Sequence, residues 1–350
     1  MGDLFEVGTV KSFDEGKLIL EKQKCNNLIE FVGRTRSNNG IKGYVAKLET
    51  EPNPANVISI SQIGTIVAQI RNKKWYASQN IFSLSPKNSY KSLISLFGVS
   101  TINKGLNGSF SDGYGNYPTL DKLKTLTINL PTKNGEIDFE FMESFIRELE
   151  ADRISRLNQY LVSTGLNNYV LTTDEQQALT SFEDGKVNWG EFSYKNIFNK
   201  IVQGRRLKKE DQTTGDIPFI MAGTTNMGVV NYISNPVASF PKNSITVDIF
   251  GNTFYRNYDY GAGDDTGVYW NNEKTFAKTS MLFLATAISK SISGKFNYGT
   301  KLRSSQSLDF KMSLPIKNNK PDYVLMEMLI SAVQKTVIKG VVEYVQAKSF

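Results

Sequence analysis

The side chains best placed to do chemistry are cations beside turns. Arg34 and Arg36 precede Ser37-Asn38-Asn39-Gly40, a strong turn signal. Arg71, Lys73 and Lys74 lead into Trp75 and Tyr76, and Arg205, Arg206, Lys208 and Lys209 form the cluster RRLKK. Such groups attract polyanions. A solvated face accounts for any one of these charges equally well, and it remains open even for the RRLKK cluster.

Other chemistries are excluded by what the chain lacks. It has no histidine, so Ser-His-Asp triads, Cys-His pairs, histidine-dependent nuclease chemistry and the usual zinc or iron ligand sets are absent. The single cysteine, Cys25, cannot form an internal disulfide and has no histidine to activate it. No GxxxxGK[ST] phosphate loop occurs, since Gly294-Lys295 is followed by Phe296. No Asn-Pro-Pro-Tyr or Asp-Pro-Pro-Tyr motif and no Phe-x-Gly-x-Gly occurs either. Asp264-Asp265 sits in GAGDDTG, which needs only to be a turn. With 350 residues and 40% hydrophobic content the chain suits two domains with their own cores. It shows no secretory signal and no apolar run near the ~18 residues of a membrane span, so a cytoplasmic location is expected.

The elements that position those cations are repeated. LPTKNGEIDFEFMESFI (130–146) returns as LPIKNNKPDYVLMEMLI (314–330), identical at eight of 17 positions and 184 residues apart. Each copy reads as strand, turn and helix start. Leu126, Ile128 and Leu130 alternate as in a half-buried strand, Pro131 stops it, Asn134-Gly135 turns, and Asp138 caps a helix. Asp322 holds the same place in the second copy.

Earlier stretches also pair. FVGRTRSNNGIKGYV (31–45) matches FIMAGTTNMGVVNYI (219–233), with Asn38 on Asn226 and Gly40 on Gly228. GTIVAQIRNKKWY (64–76) is set against NSITVDIFGNTFY (243–255), each as two strands joined at a polar tip. Residues 91–106 and 278–294 are expected as short amphipathic helices. Residues 1–138 carry a net charge of +5 and residues 189–321 carry +7, whereas the remainder carries −5. A polyanion would therefore bind the two units, and the other segments look protein-facing.

A helix follows each unit. Met142, Phe145, Ile146, Leu149, Leu157, Tyr160 and Leu161 form one apolar stripe, and Leu325, Met328, Leu329, Ala332, Val333, Val337, Val341, Tyr344 and Val345 form another. The economical arrangement packs the two helices antiparallel as a coiled-coil-like spacer. The expected fold is α+β, with two similar mostly-β units separated by two long antiparallel helices in an internal pseudo-twofold repeat. The boundaries are unit one at 1–138, helix one at 139–165, a linker at 166–188, unit two at 189–321 and helix two at 322–350.

The ordered motifs IPFIMAGTTNMGVVNYI (217–233), FNYG (296–299) and the doubled Leu-Pro to Met-Glu segment resemble the target recognition domains of restriction-modification specificity subunits, type I or the related type IIB class. In the first unit SFSDGYGNY (109–117) departs from the FNYG pattern. The resemblance implies a non-catalytic, sequence-specific double-stranded DNA recognition subunit. Each domain reads half of a split site, and the helices set the gap and dock methyltransferase subunits, two of them expected. Those partners would carry S-adenosylmethionine, this chain would hold no cofactor or metal, and restriction subunits or a fused nuclease would complete the complex.

On that reading DNA contacts fall to Arg34, Arg36, Asn38, Lys42, Arg71, Lys73, Lys74 and Tyr76 in unit one. In unit two they fall to Arg205, Arg206, Lys208, Lys209, Thr225, Asn226, Tyr255, Arg256, Lys301 and Arg303. Arginine suits guanine, and Asn38 or Asn226 suits adenine. Packing at strand ends is the competing role for Trp75, Tyr76, Phe254 and Tyr255. Met142, Phe145, Leu149, Met328, Val333 and Val337 are the expected partner-binding positions. A standalone magnesium-dependent nuclease and a two-module binder of something other than DNA are the rival functions.

Overall fold

The computed structural model describes residues 1–111, 115–235, 237 and 239–348. By internal contacts the chain divides into Met1–Ile154 and Ser155–Phe350. The departure expected at SFSDGYGNY falls partly on 112–114, outside the described residues.

Unit one contains β1 (Phe5–Thr9), β2 (Ile29–Val32), β3 (Ile41–Val45), β4 (Val57–Ser61), β5 (Ala68–Arg71), β6 (Trp75–Ala77) and β7 (Ile81–Pro86). Helices α1 (Leu96–Ser109) and α2 (Leu120–Thr125) follow, then the short hairpin β8 (Thr132–Lys133) and β9 (Glu136–Ile137). Helix α3 (Phe139–Ser163) leaves the unit, and α4 (Thr173–Glu183) comes next. Unit two continues with β10 (Trp189–Ser193), α5 (Tyr194–Ile197), β11 (Lys200–Gln203), β12 (Thr214–Ile220), β13 (Val229–Ile233) and β14 (Ser239–Phe240). Then come β15 (Ser244–Asp248), β16 (Thr253–Arg256), β17 (Tyr260–Ala262), β18 (Thr266–Trp270), α6 (Lys278–Ile292), β19 (Lys311–Lys317), β20 (Lys320–Pro321) and α7 (Tyr323–Lys348).

The units share a topology. Unit one has a four-stranded sheet β1-β7-β4-β5, and unit two has β11-β18-β15-β16 in the same order. A second sheet, β3-β2-β6, matches β13-β12-β17, with the middle strand antiparallel to its hairpin partner and parallel to the third. All five residues of β4 (VISIS) and of β15 (SITVD) are buried, so each is covered on both faces. Helix α1 lies against β5, and α6 against β15 and β16. The main cores centre on Ile58, Leu84 and Ile102 in unit one, and on Ile245, Tyr269 and Leu284 in unit two.

The expected mixed fold of two similar units is what the chain adopts, and the helices at 96–109 and 278–292 lie where the patterns put them. Three local readings are corrected. First, 64–76 is not a hairpin: β5 pairs with β4, and β6 pairs in parallel with β2. The ladders instead match Val57↔Arg71 with Ser244↔Arg256, so Arg71 corresponds to Arg256. Short alternating segments fit several registers, and pattern alone selected the wrong one.

Second, no strand forms at 126–130, and Pro315 lies inside β19 rather than ending it. Strand β19 has β10 for a partner, with Trp189 opposite Pro315. The alternation at 126–130 has no such partner among the described residues.

Third, the expected linker 166–188 contains α4. Thr172 and Glu175 form a capping box at its start. Glu175 also accepts from Ser331 Oγ at 2.5 Å and Lys335 Nζ at 2.7 Å, tying α4 to α7. Burial alone would raise the carboxyl, but these donors hold it down to about 2.

Both long helices begin as expected. Asp138 Oδ1 accepts from Phe141 N at 2.9 Å, and Asp322 Oδ1 from Leu325 N at 3.0 Å. The repeat's methionine anchors each helix: Met142 is buried in unit one's core and Met326 in unit two's. No helix of the described residues is long and apolar enough to cross a membrane.

Candidate nucleic-acid interface

The doubled turn after β2 and β12 is the centre of each unit's candidate site. Three successive residues adopt left-handed backbone there: Asn38 (φ 48°), Asn39 (φ 49°) and Gly40 (φ 74°), and Asn226 (φ 47°), Met227 (φ 52°) and Gly228 (φ 83°). Asparagine tolerates this region and methionine does not do so readily. Glycine is required at the third place. A Cβ on Gly40 would lie 2.4 Å from Gln69 Oε1, and one on Gly228 would lie 2.7 Å from Met221 O.

The turns close alike. Gly33 N donates to Gly40 O at 2.8 Å, and Met221 N to Gly228 O at 2.9 Å. Asn38 Nδ2 donates to Ile41 O at 3.1 Å, and Asn226 Nδ2 to Val229 O at 3.5 Å. These two amides, expected to read adenine, are thus bonded within their own turns. Their neighbours Arg34, Arg36 and Asn39 in unit one, and Thr224, Thr225 and Met227 in unit two, are exposed.

Beneath the turns lie Arg71 and Arg256, only 1% and 0% exposed. Arg71 donates to Asn39 O at 2.7 Å, Ser59 Oγ at 2.9 Å and Gln69 Oε1 at 2.7 Å. Arg256 donates to Met227 O at 2.6 Å, Thr246 Oγ1 at 3.0 Å and Tyr258 OH at 3.1 Å. Burial lowers Arg71 to about 10, opposed by Glu30, so it stays charged at neutral pH. Both were expected to touch DNA directly, and their burial removes them from the surface. Tyr76 is also buried, its hydroxyl donating to Thr50 O at 2.7 Å. Tyr255 is half-buried and bonded to Asn243 Oδ1 at 3.1 Å. Packing at strand ends thus describes both tyrosines.

In unit two, several loops meet at the same end of the sheet. Asp248 Oδ2 accepts from Gly223 N at 2.9 Å, and Asp265 Oδ2 from Ala222 N at 3.0 Å. Leu302 N donates to Ile249 O at 2.9 Å, and the Arg303 guanidinium to Asp264 O at 2.6 Å. Arg205 N donates to Ala262 O at 2.8 Å. The turn therefore shares its end of the sheet with exposed Arg205, Arg206, Lys301 and Arg303. Tyr298, 82% exposed, projects from the FNYG turn with Lys301 Nζ 4.7 Å from its ring centre. In the sequence Tyr298 stands only within the FNYG motif, and its place three residues before Lys301 is the signal that could have marked it. Lys208 and Lys209 are exposed further along, with Lys208 3.8 Å from Glu210.

Unit one divides its cations. Arg34 and Arg36 sit at the turn, with Arg36 Nη2 3.5 Å from Ile66 O. Lys42 is paired with Glu15 at 3.0 Å. Lys73 and Lys74 precede β6, at the opposite end of β2 from the turn. There Lys24 lies beside Lys73 and lowers its ammonium, the mark of two crowded cations. Lys24 had no sequence signal, since only the fold brings it to Lys73.

The Asp248 carboxylate at this end of the sheet is occupied by hydrogen bonds. Asp248 accepts from Phe250 N, Asn252 N and Asn252 Nδ2 as well as Gly223 N. Among the described residues no group of three or more His, Cys, Asp or Glu is placed to hold a metal ion. Cys25 is exposed and free. Of the expected partner-binding positions, Met142 is buried, Met328 is half-buried, and Phe145, Leu149, Val333 and Val337 are exposed.

The comparisons with known proteins agree with this duplication. The model of the type I restriction modification DNA specificity domain matches residues 1–159 and again 186–342. A curated relative, the type II restriction enzyme BgcI specificity subunit S.BcgI of Heyndrickxia coagulans, is 26% identical over 97% of this chain and 94% of its own length. The fold resembles the S subunit of a type I restriction-modification system from M. genitalium, with a TM-score of 0.63 at 13% identity, covering 99% of this chain and 90% of that one. With two matches spanning most of its length, the chain belongs to the type I restriction-modification DNA specificity domain family.

Proposed function

We propose that the chain is the non-catalytic DNA-reading subunit of a restriction-modification complex, and that each unit reads one half of a bipartite duplex site. The observation that carries this is the doubled left-handed turn, ringed by exposed cations in a chain matched twice as a DNA specificity domain. Cations at phosphates give affinity and register, whereas exposed turn side chains meet base edges. Residues 1–138 and 189–321 form the recognition units. Helices α3 and α7 set the gap between the two half-sites and dock methyltransferase subunits. Exposed Phe145 and Leu149 on α3, and Val333 and Val337 on α7, support that docking role. S-adenosylmethionine and methyl transfer belong to those partners, and any cleavage to restriction subunits or a fused nuclease.

The test is a methylation map. The chain is expressed with its methyltransferase subunit in a methylation-free host, and modified bases are located by sequencing. A motif of two short half-sites at fixed spacing, lost when this chain is omitted, is expected. A soluble complex without such a motif would refute the reading. Affinity for duplex DNA should also fall by roughly 10³–10⁵ between 50 and 200 mM salt if about 6–10 phosphates are contacted.

A further inference from the structure

We propose that Arg71 and Arg256 are positioning residues for base reading, each clamping its unit's left-handed turn from beneath so that the exposed turn side chains hold one orientation. This rests on the DNA-reading function proposed above.

The argument starts from cost. A buried guanidinium without a carboxylate partner is unfavourable unless hydrogen bonds satisfy it. Among the described residues neither arginine forms an ion pair. Each instead donates to one strand hydroxyl, Ser59 or Thr246, to the carbonyl of the middle turn residue, Asn39 or Met227, and to a third oxygen that differs between the units, Gln69 Oε1 or Tyr258 OH. An aromatic ring lies against each guanidinium: Trp75 with its centre 5.7 Å from Arg71, and Tyr260 5.9 Å from Arg256. The same device thus occurs twice in one chain although the residue it grips differs, Asn39 in one unit and Met227 in the other.

The gripped turn is strained. Consecutive left-handed residues are costly, and such strain persists only where surroundings over-determine it. The clamped carbonyl belongs to the middle residue of each turn, and the residues just before it, 36–38 and 224–226, face solvent. A charge-assisted bond to a carbonyl is among the stronger ways to hold a backbone. With the carbonyl fixed, the flanking side chains Arg36, Asn38, Thr225 and Asn226 start from a defined backbone, which favours base selectivity over mere adhesion.

The test uses Arg71→Lys and Arg256→Lys in the full chain, co-expressed with its methyltransferase subunit. A lysine ammonium keeps the charge but cannot bridge hydroxyl and carbonyl as the fork does. Three readouts are taken: the methylation map, amide hydrogen exchange across the turns, and the salt dependence of duplex binding. Arg71→Lys should relax base choice in one half-site and Arg256→Lys in the other, each by about tenfold, the equivalent of one lost hydrogen bond to a charged group. Exchange should quicken by a similar factor at 34–40 or 222–228 alone. The salt slope is taken on Arg71→Gln and Arg256→Gln, since a lysine would keep any phosphate contact, and it should stay unchanged because neither guanidinium touches phosphate.

A slope reduced by about one would make the arginine a phosphate contact and overturn the proposal. Unchanged exchange with an unchanged motif would overturn it equally. A loss of thermal stability with both half-sites still read faithfully would leave only a structural role, and so refute it. If a lysine variant fails to fold, Ser59→Ala and Thr246→Val each remove one anchor and should show the same half-site effect in weaker form. A wild-type complex yielding no bipartite motif would fail the parent reading alone, and the exchange measurement would still decide whether the clamp exists.

Discussion

The two turns are held by the same arginine device and supported from below by different chemistry. In unit two, carboxylates do the work: Asp248 receives Gly223 N, and Asp265 receives Ala222 N. In unit one, the matching ladder positions hold Ser61, opposite Ile81 as Asp248 is opposite Thr266, and Asn80. The backbone bond Gln62 N to Asn80 O, 2.9 Å, repeats Ile249 N to Asp265 O at the same length. Ser61 serves only its own loop, accepting from Val67 N at 3.1 Å, while Gln69 Nε2 supports the turn through Thr35 O at 3.1 Å. The backbone shape is thus preserved while its support changes from charged to neutral. One turn surface can then carry Arg34 and Arg36 and the other Thr224 and Thr225, without altering how the turn is built.

The sharpest way to break this contrast is to remove one support from each unit. Asp248 is 4% exposed and accepts four hydrogen bonds, three of them from backbone amides. Asp248→Ala strands those amides in a partly buried site and should destabilise unit two by about 3 kcal/mol. Ser61→Ala in unit one should cost only about 1 kcal/mol. Denaturant unfolding resolved by hydrogen exchange in each unit would measure both. Equal losses would erase the distinction between charged and neutral support.

The sequence made the architecture legible to the extent that it repeated itself. The shared Asp cap and the Asn-Gly or Asn-Asn turn are legible in 130–146 and 314–330, because identical residues meet identical local demands, whereas the burial of the shared methionine is not, since Met142 reads equally as a partner-binding position. The Asn38/Asn226 turns were visible for the same reason. Helix α4 is hidden by its polar composition, which reads as a linker, although Thr172-x-x-Glu175 spells a capping box. The site was less legible. Arginine types were recognised, but exposure was not: Arg34 and Arg71 are indistinguishable on paper, and only the β4–β5 ladder shows that the second points inward. Lys24 and Lys73 are 49 positions apart in sequence, and only the fold makes them neighbours.

Acid should sharpen the comparison at a second place in unit two. Glu175 is buried between α4 and α7 and held at about 2 by Lys335, Ser331 and the Thr172 amide against the upward pull of burial. A depressed carboxylate contributes stability above its unfolded value, near 4.5, and loses it as pH falls through the folded value. Unit two should therefore lose roughly 1–2 kcal/mol between about pH 4.5 and 2, discounted for the solvent side of the pair. Glu175→Gln should remove most of that slope. The start of α3 in unit one rests instead on rings, with Phe97 5.8 Å from Phe145 and 6.4 Å from Phe141, so no matching acid loss is expected there. Thermal melts across pH, followed by Trp75 in unit one and by Trp189 and Trp270 in unit two after single-tryptophan replacement, would separate the units.

The smallest effect tests the strain itself. Met227 and Asn39 occupy the same left-handed place, but methionine meets a larger backbone penalty there than asparagine. Met227→Gly should stabilise unit two by about 1 kcal/mol, the relieved strain being partly offset by the greater freedom of glycine in the unfolded chain. Asn39→Gly should change unit one by no more than ~0.3 kcal/mol, because asparagine already tolerates the region and its amide donates to Ile70 O at 3.3 Å. If both changes stabilise equally, the turn imposes the same cost on either side chain and the two units differ only in their supports. If Met227→Gly stabilises while Asn39→Gly does not, unit two carries a strained methionine that its carboxylates and Arg256 together hold in place, and it does so at the surface that would face DNA.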